Sequence, residues 1–402
     1  MSRPRWISLG ARRLLRPTGG AALLTVAALT LAGCGSGTSS TAGSGPTSGS
    51  ASGPPSSLSS SGGPGSEGSS VPTTSPTSTG SSDHPVVVRP TDHPLAWQPV
   101  QGSTRDEVTI GGDWTLTLPA GGDSARLDGP HPHTFGAGAH SSISDAFLDG
   151  THALVVSEDD LARTPDVATL VDLASGRATT IDRTSHPPTS VGGTWALGPT
   201  SLAHATAGTG RRYCVVFLSL DSGRPDGRSC VPPRNGLSRA SITDGGTTLM
   251  RFDAQHPSCR TLLTRSGAQF TPLPGVVPCK GWDSASVPGG VVWSVVPKER
   301  RVEAAHFFSH TGAGWFDLGR GTSGTLVACA GAAYFVRDPA TRQDPAALLR
   351  WDPVAGTLTT VFTSKGRGNA FLSPPRCGGD HLTVTAYSAA GDQQVTAAVG
   401  AP

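Results

Sequence analysis

"ALGPTSLAHATAGTGRRYCVVFLSLDSG", residues 196–223, sets two tight glycine turns, at Gly198 and Gly223, on either side of a longer charged connection at 205–212. With the residues that flank it, the stretch reads as strand, turn, strand, connection, strand, turn, strand. What makes it decisive is that it recurs. The first kind of turn returns at Gly112, Gly150, Gly198, Gly245, Gly290, Gly331 and Gly378, and after Gly150 the gaps are 48, 47, 45, 41 and 47 residues. The second kind returns at Gly176, Gly223, Gly267, Gly312, Gly356 and Gly391. Two interleaved series with one period near 45 residues describe a repeated four-stranded antiparallel unit, which is the blade of a β-propeller.

Residues 84–402 are therefore expected to be all-β, a propeller of about seven four-stranded blades. Six or eight blades stay open because the first unit, near 107–127, is short. A large β-sandwich or a β-helix is the alternative, although a β-helix needs a shorter period. The last unit lacks one strand, and "HPVVVRP" before the first unit is a strand without a partner. Val86, Val87 and Val88 are expected to complete the last blade and close the ring, which removes edges that could pair with other chains.

The 83 residues before the propeller have a different texture. Arg3, Arg5, Arg12, Arg13 and Arg16 precede an apolar run at 21–31, the grammar of an export signal. A run of about eleven residues is far short of the roughly twenty that span a bilayer. Leu31, Ala32 and Gly33 are followed at once by Cys34, and from Gly35 to Ser82 the chain is almost all Ser, Gly, Pro and Thr with one charge, Glu67. Such a segment cannot bury enough apolar surface to offset its ordering entropy. As a flexible coil its reach is roughly 35 to 40 Å.

The residues around Cys34 resemble the lipobox of bacterial lipoproteins. The resemblance implies a signal peptide at 1–33, cleavage before Cys34, a lipid on its thiol, and a linker at 34–83 that holds the domain off the outer face of the cytoplasmic membrane. Two lipid chains would give stable attachment where one gives only marginal affinity. Arg12 and Arg13 are similar to a twin-arginine export signal without its flanking serine and phenylalanine, so either export route stays open. High Gly, Pro, Ala and Arg with scarce Lys resembles proteins of GC-rich actinobacteria.

Loss of residues 1–33 takes the formal charge from +2 to −3. No basic footprint for nucleic acid remains, and none is expected as a partner. A monomer is expected, bound to the membrane through Cys34 and to an unknown envelope protein or glycan.

Six cysteines remain in a compartment where disulfides persist. Cys214 and Cys230 are symmetric about Ser222 in one turn. Cys259 and Cys279 straddle the next hairpin, and Cys329 and Cys377 each precede the first turn of successive units. These three pairings are expected, and the absence of C-x-x-C spacing speaks against a redox or metal role.

In a meander the tight turns share one end and the longer connections share the other. Binding residues are carried disproportionately by loops on a rigid frame, so the binding face is expected to carry Asp159, Asp160, Arg211, Arg212, Arg300, Arg301, Arg337 and Lys365. His131, His133 and His140 have ligand chemistry, but no carboxylate is fixed beside them, and no metal or cofactor is expected. The nucleophile elbow and the phosphate-cradling loop are missing. "SHTGAGW" from Ser309 faintly resembles the aspartate box of sialidase propellers, with Thr311 in the aspartate's place. "WDPVAGTLTT" and "VDLASGRATT" are similar to the outer hairpin of quinoprotein propellers, but Thr360 and Thr180 replace its closing tryptophan. A non-catalytic binding or scaffold module for an envelope protein, glycan or small ligand is thus expected. The alternative is a propeller enzyme acting on envelope carbohydrate, or a quinone-dependent dehydrogenase.

Overall fold

Successive residues of a strand point to opposite faces, and strands such as Ser201–Ala207 and Tyr213–Ser219 bury both, one toward each neighbouring sheet; the chain satisfies this by stacking seven sheets in a ring. The computed structural model describes residues 84–400, apart from 254, 257, 258, 268, 299, 300 and 302. The expected signal peptide, Cys34 and the expected linker to residue 83 lie outside the described residues. Blade 1 is Glu107–Gly111, Trp114–Leu118, Ser124–Asp128 and His133–Gly136. Blade 2 is Ser141–Leu148, His152–Asp159, Val167–Asp172 and Ala178–Ile181, and blade 3 is Trp195–Leu197, Ser201–Ala207, Tyr213–Ser219 and Pro225–Cys230. Blade 4 is Asn235–Thr243, Gly246–Asp253, Arg260–Ser266 and Gln269–Pro272, and blade 5 is Gly281–Val287, Gly290–Val295, Ala304–Thr311 and Gly314–Thr322. Blade 6 is Val327–Cys329, Ala332–Arg337, Pro345–Asp352 and Thr357–Arg367. The protein is an all-β propeller of seven four-stranded blades, and among the described residues there is no α-helix.

Blade 7 takes three strands from the C-terminal end of the chain and its outermost from the N-terminal end. Phe371–Leu372 and Arg376–Cys377 form the inner strand, followed by His381–Tyr387 and Gln393–Ala398. Gln98–Pro99 pairs antiparallel with Thr396 and Val395 and completes the sheet. This corrects the expected closure. Val86–Val87 instead pairs parallel with Phe316 and Asp317 as a fifth strand of blade 5, and Thr91–Asp92 pairs parallel with Thr359 and Thr360 on blade 6. The reason lies in the prolines. Pro90 and Pro94 cut the segment into two-residue pieces, so it steps along the rim of three blades instead of entering one as a full strand. Trp97 pins the last step, donating from Nε1 to Val361 O at 2.7 Å and packing edge-on against Phe362.

A second correction follows from the same closure. Gly391 lies between the second and third strands of blade 7, not in the last turn of the unit. The other second-series glycines trail their first-series partners by 22 to 26 residues, whereas Gly391 trails Gly378 by 13.

Apolar clusters fill the six interfaces from blade 1 round to blade 7. Val155 and Leu148 pack with Leu116 and Leu127 between blades 1 and 2, and Leu154 and Val156 pack with Trp195 and Leu202 between blades 2 and 3. The ring closes between blades 7 and 1, where Arg376 pairs with Glu107 and also donates to Ala146 O of blade 2. The backbones meet so closely there that a Cβ on Gly111 would fall 2.0 Å from Gly378 O. Only glycine fits.

The cysteines are joined as Cys214–Cys230 within blade 3, Cys259–Cys279 across the connections of blade 4, and Cys329–Cys377 between blades 6 and 7. Asp172 and Asp352 cap tight turns, accepting from Ser175 N and from Val354 N and Ala355 N. That local job accounts for the aspartates of the two quinoprotein-like hairpins.

Candidate functional site

Strand direction sorts the loops. The turns between the first and second strands and between the third and fourth are short and share one end of the ring. The second-to-third connections and the links between blades share the other, and they include the longest, 182–194. Asp159 ends the second strand of blade 2 and Asp160 follows it. Arg211 and Arg212 lie in the connection of blade 3, Arg301 in that of blade 5, and Arg337 ends the second strand of blade 6. Lys365 is near the end of the last strand of blade 6, and Arg300 lies outside the described residues. All the described ones are at the loop end, but they are spread over four blades and do not form one cluster.

Two of them have structural jobs. The Asp159 carboxylate accepts from Leu161 N at 2.8 Å and from Thr164 N and Oγ1 at 3.0 Å, which shapes the loop and holds the carboxyl below its usual range. Arg337 donates to Leu318 O and Arg320 O and so clips blade 6 to blade 5. The histidines do not converge. His131 and His133 lie at the short-turn end, where His133 Nε2 is 3.0 Å from Gly176 O, and His140 lies in a link at the loop end.

The loop end holds a cleft of about 290 Å³ between the last strand of blade 1 and blade 2. Phe135, Ile143 and Val155 form its apolar floor, and Ser157, Asp159 and Thr164 its polar rim. Ser157 Oγ donates to Ala137 O at 2.6 Å, and Thr164 Oγ1 donates to Asp159. With their protons committed, both hydroxyls present lone pairs.

Glu158, between Ser157 and Asp159, points to the opposite face of the strand, toward blade 3. Burial, and then the charges of Asp166, Asp145, Asp160 and Asp159, push its carboxyl from the usual 4.5 up to about 7. Asp166 is buried, which raises it to about 6, although Trp195 Nε1 and Gly192 N donate to its two oxygens at 3.0 and 2.9 Å. These bonds tie the 182–194 link to blade 2.

A raised carboxyl means that the native state binds more protons than the unfolded chain. Stability therefore falls as pH rises from about 4.5 to about 7. Glu158→Gln is expected to be close to neutral at pH 4.5 and to stabilise at pH 8 by roughly 1–2 kcal/mol, discounted for partial exposure. Urea midpoints at the two pH values check this, and an equal effect at both would contradict it.

Across the ring, blades 4 and 5 carry a cationic stack, with Arg239 on the inner strand and Arg260 at the start of the third strand of blade 4, and Trp282 on the inner strand of blade 5. The Arg239 and Arg260 guanidiniums lie 5.1 and 4.3 Å from the centre of the Trp282 ring. Arg239 Nη1 is 2.8 Å from Asp283 Oδ1, whose carboxylate also accepts from Gly324 N and the Ser294 hydroxyl. Burial pushes the Asp283 carboxyl up, against the pull of Arg239 and these donors. At a separation of at most about 9 Å the two cations repel by roughly 2 kcal/mol at an effective dielectric near 20. Each ring contact returns about 0.5–2 kcal/mol.

No family model matches the sequence, and no curated protein matches it. Solved structures do. The β-propeller domain of the trilobed protease from Pyrococcus furiosus is similar at TM-score 0.50 and 8% identity, over 72% of this chain and 94% of that one. An acylaminoacyl peptidase from Pyrococcus horikoshii gives 0.48 and 7%, over 73% and 52%. TolB from Acinetobacter baumannii gives 0.36 and 11%, over 73% and 78%. The chain spans about half the length of the whole peptidases. At such identity the likeness concerns the fold alone.

Sequence reasoning missed Glu158, Asp166, Arg239, Trp282 and Asp283. Strict alternation along His152–Asp159 would have put Glu158 and Asp159 on opposite faces. Arg239 and Asp283 are 44 residues apart, one repeat period, and so hold equivalent places in neighbouring blades.

Proposed function

We propose that the protein is an exported, non-catalytic binding module, held on the outer face of the cytoplasmic membrane by a lipid on Cys34, whose loop end takes a glycan of the envelope. The cleft between blades 1 and 2 carries the reading: an apolar floor under the lone pairs of the Ser157 and Thr164 hydroxyls suits a neutral, hydroxyl-bearing ligand. An envelope protein or a small ligand with similar donors would fit the same rim. One observation favours a propeller enzyme acting on envelope carbohydrate, namely the raised carboxyls of Glu158 and Asp166. It weighs less, because both Asp166 oxygens are occupied and neither residue lines the cleft.

The test is co-sedimentation of membranes carrying the full chain with labelled envelope polysaccharide, followed by analysis of the polysaccharide for cleavage. Ser157→Leu, which fills the cleft, is expected to stay with the membranes and to bind at least tenfold more weakly, a change of about 1.4 kcal/mol. Cys34→Ser is expected to leave the membranes and still bind. Unchanged binding by Ser157→Leu, or shortened polysaccharide, would overturn the reading.

A further inference from the structure

We propose that the 182–194 link between blades 2 and 3 is a proton-held latch, which lies closed over the side chain of Glu158 while that carboxyl is neutral and lifts when it ionises. Three observations converge there. First, the link sits directly on the carboxyl. A Cβ on Gly192 would fall 3.1 Å from Glu158 Oε1, and Gly192 has φ +60, so glycine serves both the turn and the close approach. A neutral carboxyl tolerates this cover, whereas a carboxylate needs water on the oxygen that Gly192 shields.

Second, the bonds that hold the link to blade 2 meet on one residue, Asp166. Gly192 N donates to its Oδ1 at 2.9 Å, and Thr189 Oγ1 donates to its backbone oxygen at 2.7 Å. Its own N donates to Ser190 O at 3.0 Å, and Ser190 N in turn donates to Ala205 O of blade 3 at 3.2 Å. Lifting the Gly192 turn breaks the first of these bonds and leaves Trp195 Nε1 on Asp166, so Glu158 can be uncovered without unfolding a blade.

Third, nothing beside Glu158 compensates a charge. Its carboxyl accepts no hydrogen bond among the described residues, and the charges acting on it, those of Asp166, Asp145, Asp160 and Asp159, are all negative. From blade 3, the Tyr213 hydroxyl accepts from Thr194 N and the His204 ring stacks on Trp195. Burial keeps both neutral, raising the phenol and lowering the imidazole. In the link itself, Asp182 accepts from Thr184 N and Oγ1, and Arg183 and His186 are exposed. The latch also shares a wall with the cleft, because Ser157 and Asp159 on either side of Glu158, and Pro165 and Val167 on either side of Asp166, line it.

Hydrogen exchange of the full chain without ligand tests the latch, read as the protection of the 182–194 peptides relative to the unfolded chain at the same pH. Opening returns the Glu158 carboxyl from about 7 to its usual 4.5, so protection should fall about tenfold between pH 6 and pH 8. Asp166, raised to about 6, adds at most about twofold. Glu158→Gln keeps the neutral shape and is expected to show only that smaller fall; Glu158→Ala carries the test if Glu158→Gln does not fold. The link should also be less protected than the second and third strands of blade 2. Constant protection in the natural chain, an equal fall in the Glu158 variant that folds, or a link as protected as those strands would overturn the proposal. No ligand enters this test, so a failure of polysaccharide binding would overturn only the function proposed for the cleft.

Discussion

Replacing Trp351 by alanine is expected to lower the unfolding free energy by about 3–5 kcal/mol, the range for removing a large aromatic from a packed core. Trp351 is fully buried between blades 5 and 6, tilted against Phe316 at 5.1 Å, and it donates from Nε1 to Ser309 Oγ at 2.9 Å. The substitution opens a cavity and also breaks a hydrogen bond between two blades. Trp351→Phe separates the two effects, because it keeps most of the ring and loses the donor, and it should cost about 1–3 kcal/mol. Denaturant unfolding of both variants checks the order. A loss below about 1 kcal/mol for the alanine variant would show that the two blades do not rely on this contact.

The second large effect is expected from changing Cys329 and Cys377 together to serine. This bridge joins the inner strands of neighbouring blades across 48 residues, and its removal should cost about 4 kcal/mol in the chain-entropy model. The Cys214–Cys230 bridge spans 16 residues within one blade and should cost about 3 kcal/mol. Thermal midpoints under non-reducing conditions rank the two double variants. A larger fall for the Cys214 and Cys230 pair would mean that local packing, not loop length, sets the contribution of these bridges.

Blade number was legible because every blade spends a glycine on each tight turn, and a glycine in a turn is visible in one sequence. The closing strand was misplaced for a related reason. Val86, Val87 and Val88 look like a strand by composition, whereas Gln98 and Pro99 do not, and a two-residue pairing on a rim needs no strand-like composition. The site was less legible still. Asp159 drew attention as a charge in a long loop, yet its oxygens are spent on that loop. Glu158, one residue away, carries the perturbed proton because it faces the neighbouring sheet. Arg239 and Asp283 are ordinary in sequence and become a pair only when the repeat is folded, although their spacing of one period was there to be read. The Trp351 to Ser309 bond, 42 residues apart, obeys the same spacing. In a repeat of this kind, polar residues about one period apart are the first places to look for contacts between blades.

Closure by Gln98–Pro99 also orders events in time. These residues emerge early during synthesis, and their partners, Val395 and Thr396, come roughly 300 residues later, so the ring cannot be sealed while the chain is still being delivered. The entropy of joining such distant points is modest, about 0.6 kcal/mol for each doubling of loop length, so the burden is one of waiting. Val86 and Val87 travel without partners until Phe316 and Asp317 arrive, and Leu95 and Trp97 until Val361 does. Pro90 and Pro94 among them keep the waiting segment a poor template for pairing with another chain.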